Sequence, residues 1–249
     1  MSEATKIQWT NATWNPWHGC HKISPGCKNC YMFTEKKAYG QDPDVVVRSK
    51  TTFTAPLKWK EPRLVFTCSW SDWLIEEADE WRQEAYDIIW RTPHTYQILT
   101  KRIERAIEHW PTIPPPRAWL GVSVEDRKYG LPRIDILREL PAVVRFLSIE
   151  PQLEDIGEIN LQGIHWVIIG GESGHGARPF NIEWARSIIA QCREAGVACF
   201  VKQLGKQPYV MDGSLHVWQD FDDRRKGGEP SEWPEDLRVR EFPATASPA

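Results

Sequence analysis

Six short apolar runs, LVFTC (64–68), YQIL (96–99), AWLGV (118–122), VVRFL (143–147), HWVII (165–169) and VACFV (197–201), recur along the chain. They start about 20–35 residues apart, room for one crossover helix in each gap. All are rich in β-branched and aromatic residues and read as buried parallel strands. A weaker run, 10–14, can precede them. Between the first two, Leu74, Ala78, Trp81, Ala85, Ile88 and Ile89 fall at three- and four-residue steps, with Ser71 or Asp72 to cap the helix and Pro93 to stop it. Ile103, Ala106, Ile107 and Trp110 repeat the spacing before Pro111. Asn181 can open, and Gly196 close, a helix carrying Ile182, Ala185, Ile188, Ile189 and Cys192. Between Glu125 and Leu140 the pattern is interrupted by Pro132. The alternation predicts an α/β fold, a parallel barrel or a doubly wound sheet.

A chain of 249 residues suits one large core. Residues 41–62 read as an insertion into a barrel spanning 1–210, and 211–249 as a polar extension. No run approaches the ~18 apolar residues of a membrane span, and the N-terminus MSEATKIQW lacks an apolar leader core. The expectation is a cytoplasmic protein with no membrane partner, its thiols kept reduced. The net charge of −3 gives no global nucleic-acid footprint. The 14 tryptophans read first as packing.

Each apolar run gives way to polar residues at its C-terminal end, where parallel barrels place their chemistry. Cys68 is followed by Ser69, Ser71 and Asp72, Leu99 by Thr100, Lys101 and Arg102, and Val122 by Ser123 and Glu125. Leu147 leads to Ser148 and Glu150, Ile169 to Gly170, Gly171 and Glu172, and Val201 to Lys202 and Gln203. Their recurrence predicts a pocket.

The remaining signal is TWNPWHGCHKISPGCKNCY (13–31), in which Cys20, Cys27 and Cys30 stand as C-x6-C-x2-C. In a reducing compartment a close thiol trio points to a metal site. A structural zinc wants four ligands, and His18 or His21 can complete a Cys3His set. Three thiolates without a fourth fit a [4Fe–4S] cluster with one iron left open. Cys192 and Cys199 read as small core residues. Cys68 reads as core filling too, with hydrogen-atom donation to a substrate radical as its alternative.

Taken together, the three-cysteine loop after a first strand and the barrel pattern resemble the radical SAM superfamily. TWNPWHGC…CKNCY, WVIIGGESG and FVKQLG are similar to the signature stretches of an uncharacterised family common in phages and prophages. The resemblance implies a partial (β/α) TIM-like barrel of six to seven parallel strands. It also implies a [4Fe–4S] cluster on Cys20, Cys27 and Cys30 with S-adenosylmethionine at the open iron. Ser69, Ser123, Gly170, Gly171 and Glu172 are the candidate cofactor-binding residues, and Glu150, Lys202 and Lys101 the candidate catalytic ones. The expected substrate is a nucleotide or nucleic acid, and the expected reductant a ferredoxin or flavodoxin. The superfamily's usual spacing is C-x3-C-x2-C, and its Gly-Gly-Glu-like turn follows the second strand; here Gly170-Gly171-Glu172 follows HWVII, the sixth strand when the weak run 10–14 is counted as the first. The alternative is a non-enzymatic binding protein whose N-terminal loop is stabilised by zinc or a cluster.

Overall fold

The structure is a computed structural model that describes residues 5–222 and 226–244. Parts of the DFDDRRKGGEP stretch (223–225) and of the low-complexity end (245–249) lie outside the described residues. The chain folds as an α/β protein whose main sheet has seven parallel strands in the order β1-β4-β5-β6-β7-β8-β10. That is the strand complement of a partial barrel. Among the described residues, 5–122 and 136–145 form one compact unit, and 123–135, 146–222 and 226–244 form another.

The first unit opens with β1 (Ala12–Trp14), a two-residue β2 (Trp17–His18), helix α1 (Tyr31–Ala38) and β3 (Val47–Arg48). It continues through β4 (Leu64–Thr67), α2 (Asp79–Arg91), β5 (Thr95–Thr100), α3 (Ala106–His109) and β6 (Ala118–Ser123). β1 pairs with β4, β4 with β5 and β5 with β6. Helix α2 starts later than Ser71 or Asp72, after a 3-10 turn at Glu76–Ala78. The Asp72 carboxylate is occupied elsewhere, by the Leu74 amide, by Thr100 at the end of β5 and by the Lys101 amide just after it. Ile107, expected on a buried face, is 70% exposed. A 3-10 turn at Ile103–Arg105 precedes α3, and its tighter winding rotates the face away from a 3.6-residue register.

Tryptophans fill this unit's core. Trp14, Trp17 and Trp73 are fully buried, and the Trp73 ring lies 5.0 Å from Trp17, 6.2 Å from Trp14 and 5.3 Å from Tyr86. Each indole N–H has a partner: Trp14 donates to the Phe53 carbonyl, Trp17 to the Asp72 carbonyl and Trp73 to the Tyr86 hydroxyl. Burying these rings therefore leaves no donor unsatisfied.

The second unit contains most of α4 (Arg127–Glu139), then β7 (Arg145–Ile149), β8 (Trp166–Gly170), β9 (Phe180–Asn181), α5 (Ile182–Ala195) and β10 (Ala198–Gln203), followed by a hairpin of β11 (Pro208–Asp212) and β12 (Leu215–Trp218). β7 pairs with β8, and β8 with β10. Pro132 sits inside α4. β7 begins two residues later than its apolar run, whose Val143 is 45% exposed, and it continues through buried Ser148 and Ile149. After the hairpin the chain returns along β10: Val201 donates to the Val239 carbonyl and Glu241 to the Cys199 carbonyl. Among the described residues no helix is long and apolar enough to cross a membrane.

Candidate functional site

The three cysteines occupy one loop of the first unit, between the end of β1 and α1. Two features fold it. Gly19 has φ +101°, and a Cβ there would meet the Val45 carbonyl oxygen at 2.2 Å, so only glycine allows residues 43–46 to lie this close. Those residues hold the loop from behind: the Cys20 amide donates to the Pro43 carbonyl, and β3 pairs antiparallel with β2. The stretch read as a plain insertion is thus the loop's backing. The second feature is the 3-10 turn Pro25–Cys27, in which the Cys27 amide donates to the Ser24 carbonyl and the Lys28 amide to the Pro25 carbonyl. It puts the C-x2-C pair one turn apart, and Cys30 becomes the N-cap of α1.

The other wall is built by the residues following β4 and β5. Asn15 accepts from the Trp70 amide and donates to Ser69 Oγ, while Tyr31 Oη donates to the Ser69 carbonyl and Ser71 Oγ to the Gly19 carbonyl. Asp72 is buried and accepts from Thr100 Oγ1 at 2.6 Å, the Lys101 amide at 2.8 Å and the Leu74 amide at 2.9 Å. Its Oδ2 also lies 3.4 Å from Arg102 Nη1. The same Nη1 donates to Cys20 Sγ at 3.7 Å, and Nη2 donates to the His21 carbonyl at 2.9 Å. His21 is paired in turn with Glu77.

All three thiols are free and half-buried. Burial pushes Cys20 up to about 12, and the Asp72 carboxylate adds to this against the Arg102 guanidinium. Burial also raises Cys30, opposed by the Met32 and Phe33 amides of α1 and by the charge of Lys101. Cys27, as a like charge, pushes both neighbours the same way, with less weight than burial. Among the described residues no group of three or more His, Cys, Asp or Glu side chains is gathered so as to hold a metal ion. Cys68, at φ +59° and fully enclosed, is held well above its ordinary value by burial, Asp72 and Cys20.

Ser69 and Lys101 thus share the first unit with the cysteines, whereas Ser123, Glu150, Gly170, Gly171, Glu172 and Lys202 belong to the second. There Lys202 Nζ donates to Glu150 Oε1 at 2.5 Å. A Cβ on Gly170 would come within 3.2 Å of the Glu150 side chain, and one on Gly171 within 2.5 Å of the Leu204 carbonyl oxygen. These two glycines let a carboxylate and a neighbouring chain lie against the end of β8. Glu172 is clamped by Arg178, which donates from its backbone amide, Nε and Nη2. Ser123 gives its carbonyl to Arg133, which is also paired with the buried Glu125.

Sequence reasoning did not foresee Asn15, the clamp of Arg178 on Glu172 or the contact of Arg102 with Cys20. Arg178 stands inside the GESGHGARP stretch, a signal that was readable. The partners of Asn15 and Arg102 are far away in sequence and left no local trace.

No curated protein and no solved structure matches the chain. A family model described as a protein of unknown function (DUF5131) matches residues 4–230, and the chain belongs to that family.

Proposed function

We propose that the thiol loop of the first unit holds a [4Fe–4S] cluster on Cys20, Cys27 and Cys30, with S-adenosylmethionine at the open iron. In this reading the protein is a radical SAM-type enzyme acting in the reducing cytoplasm on a nucleotide or nucleic acid, with a ferredoxin or flavodoxin as electron donor. The observation that carries it is the trio itself: three free thiols on one short loop, with an arginine hydrogen-bonded to the first. Three thiolates are the donor set that leaves one iron of a cubane open. Loading would draw the sulfurs together, because sites of this kind complete themselves on binding.

When bound, the cluster supplies an electron to S-adenosylmethionine. The chain's own residues do the rest. Arg102 and Lys101 set positive charge beside the thiols, offsetting the negative charge that three thiolates bring together. Asn15, Ser69 and Tyr31 tie the loop to the wall after β4.

Anaerobic protein should be brown, with absorbance near ~400 nm and about four irons per chain, and Cys27→Ala should lose both. Reduction with S-adenosylmethionine should release 5′-deoxyadenosine. Colourless protein with a single zinc would overturn this reading and leave the metal-stabilised binding protein in its place.

A further inference from the structure

The geometry points to Arg102 as a positioning residue that sets how easily the cluster on this loop is reduced. The inference rests on the cluster reading above and concerns the regulation of that same site. Arg102 is aimed, not merely nearby. Its backbone amide donates to Thr100 Oγ1 at 2.9 Å, its Nη2 to the His21 carbonyl at 2.9 Å, and its Nη1 lies 3.4 Å from Asp72 Oδ2. The two side-chain contacts hold the guanidinium and leave Nη1 within hydrogen-bonding distance of Cys20 Sγ, 3.7 Å away. The side chain is 12% exposed and Asp72 7%, so water screens their fields weakly.

Two further features suit this role. Asp72 is anchored by Thr100, Lys101 and Leu74, so it holds its position whether or not Arg102 is present. The arginine cannot lose its proton in the working range, so its effect is constant with pH. One-electron reduction adds a negative charge to a cluster, and an N–H···S bond from a cation stabilises the more negative state. Arg102 therefore favours the reduced form, and the planar fork reaches sulfur, carbonyl and carboxylate at once in a way a lysine ammonium does not.

The test is a redox titration of anaerobic holoprotein, monitored by electron paramagnetic resonance, on wild type, Arg102→Gln and Arg102→Lys. Iron and sulfide are counted in every sample. At a fixed ambient potential, Arg102→Gln should show a roughly tenfold lower ratio of reduced to oxidised cluster, about 59 mV for a one-electron couple. Arg102→Lys should fall between it and wild type. A folded Arg102→Gln protein that keeps its four irons at an unchanged or higher potential overturns the inference and leaves the cluster reading standing. Wild-type protein without iron overturns both. If Arg102→Gln fails to fold or to hold iron, Arg102→Lys carries the comparison: a lower potential supports the inference, and an unchanged one ends it.

Discussion

At Gly19 the loop takes φ +101° with the Val45 carbonyl oxygen 2.2 Å from where a Cβ would stand. The backbone conformation alone costs a side chain about 1–3 kcal/mol, and the Val45 wall is backbone, so it yields only by moving β3. Gly19→Ala should therefore lower the urea midpoint clearly, by more than the conformational figure alone. An unchanged midpoint would mean that residues 43–46 do not back the loop. The cysteine trio could be singled out as a candidate because its spacing is local. The need for glycine at 19 was not legible, because the atom that enforces it comes from a segment that looks like a polar insertion. Arg102 illustrates the same limit. In sequence it is one cation among 31 lysines and arginines; only the fold brings it to Cys20, 82 positions away.

At the scale of elements, helix α5 was readable at both ends because caps are local chemistry. Asn181 Oδ1 accepts from the Glu183 amide at 3.0 Å, and Gly196 closes the helix at φ +67°. Asn181→Ala should cost about 1 kcal/mol in chemical unfolding. Gly196→Ala should cost about 1–2 kcal/mol, and no more, because no atom lies within 4 Å of the added Cβ. The other end of the same logic is α3, where a 3-10 turn shifted the register and defeated the periodicity. Tertiary ties between elements were invisible. Arg186 of α5 binds Asp236, with Nε to Oδ2 at 2.6 Å, and this hydrogen bond holds the Asp236 carboxyl below its ordinary value against a smaller effect of burial. A depressed carboxylate stabilises the fold above its unfolded value, near pH ~4, and loses that contribution as pH falls through the lower folded value. Both side chains are a third or more exposed, so the effect is below about 1 kcal/mol. Asp236→Asn should be slightly less stable than wild type at pH 7, and the gap between the two should shrink as pH falls below the unfolded carboxylate value. A gap that stays the same would assign the loss to packing.

For the molecule as a whole, the alternation of apolar runs with helical patterns was enough to give an α/β fold with parallel strands, since the central residues of each run are buried and each gap is long enough to cross over. What it left open was how 14 tryptophans divide between core and site. In the first unit Trp9, Trp14, Trp17, Trp73, Trp110 and Trp119 are core while Trp90 is 51% exposed, and Trp73 is the junction of the core set: it touches Trp14, Trp17 and Tyr86 and donates its indole N–H to Tyr86 Oη at 3.0 Å. Trp17 lies three residues before Cys20, and its own N–H is held by the Asp72 carbonyl at 3.0 Å. The aromatic junction and the thiol loop are therefore one packed body, and damage to the first reaches the second. Trp73→Ala should cost about 3–5 kcal/mol, a large part of the ~5–15 kcal/mol that keeps a protein folded. Trp73→Phe keeps most of the ring contacts but leaves the Tyr86 hydroxyl without its donor, at about 1–3 kcal/mol. Chemical denaturation ranks the two, and, on the cluster reading proposed above, iron content after anaerobic reconstitution reads the loop. Trp73→Phe should stay folded and retain iron. Trp73→Ala should lose iron at denaturant concentrations that leave wild type loaded. If it kept its iron under those conditions, the loop would hold its shape independently of the aromatic junction.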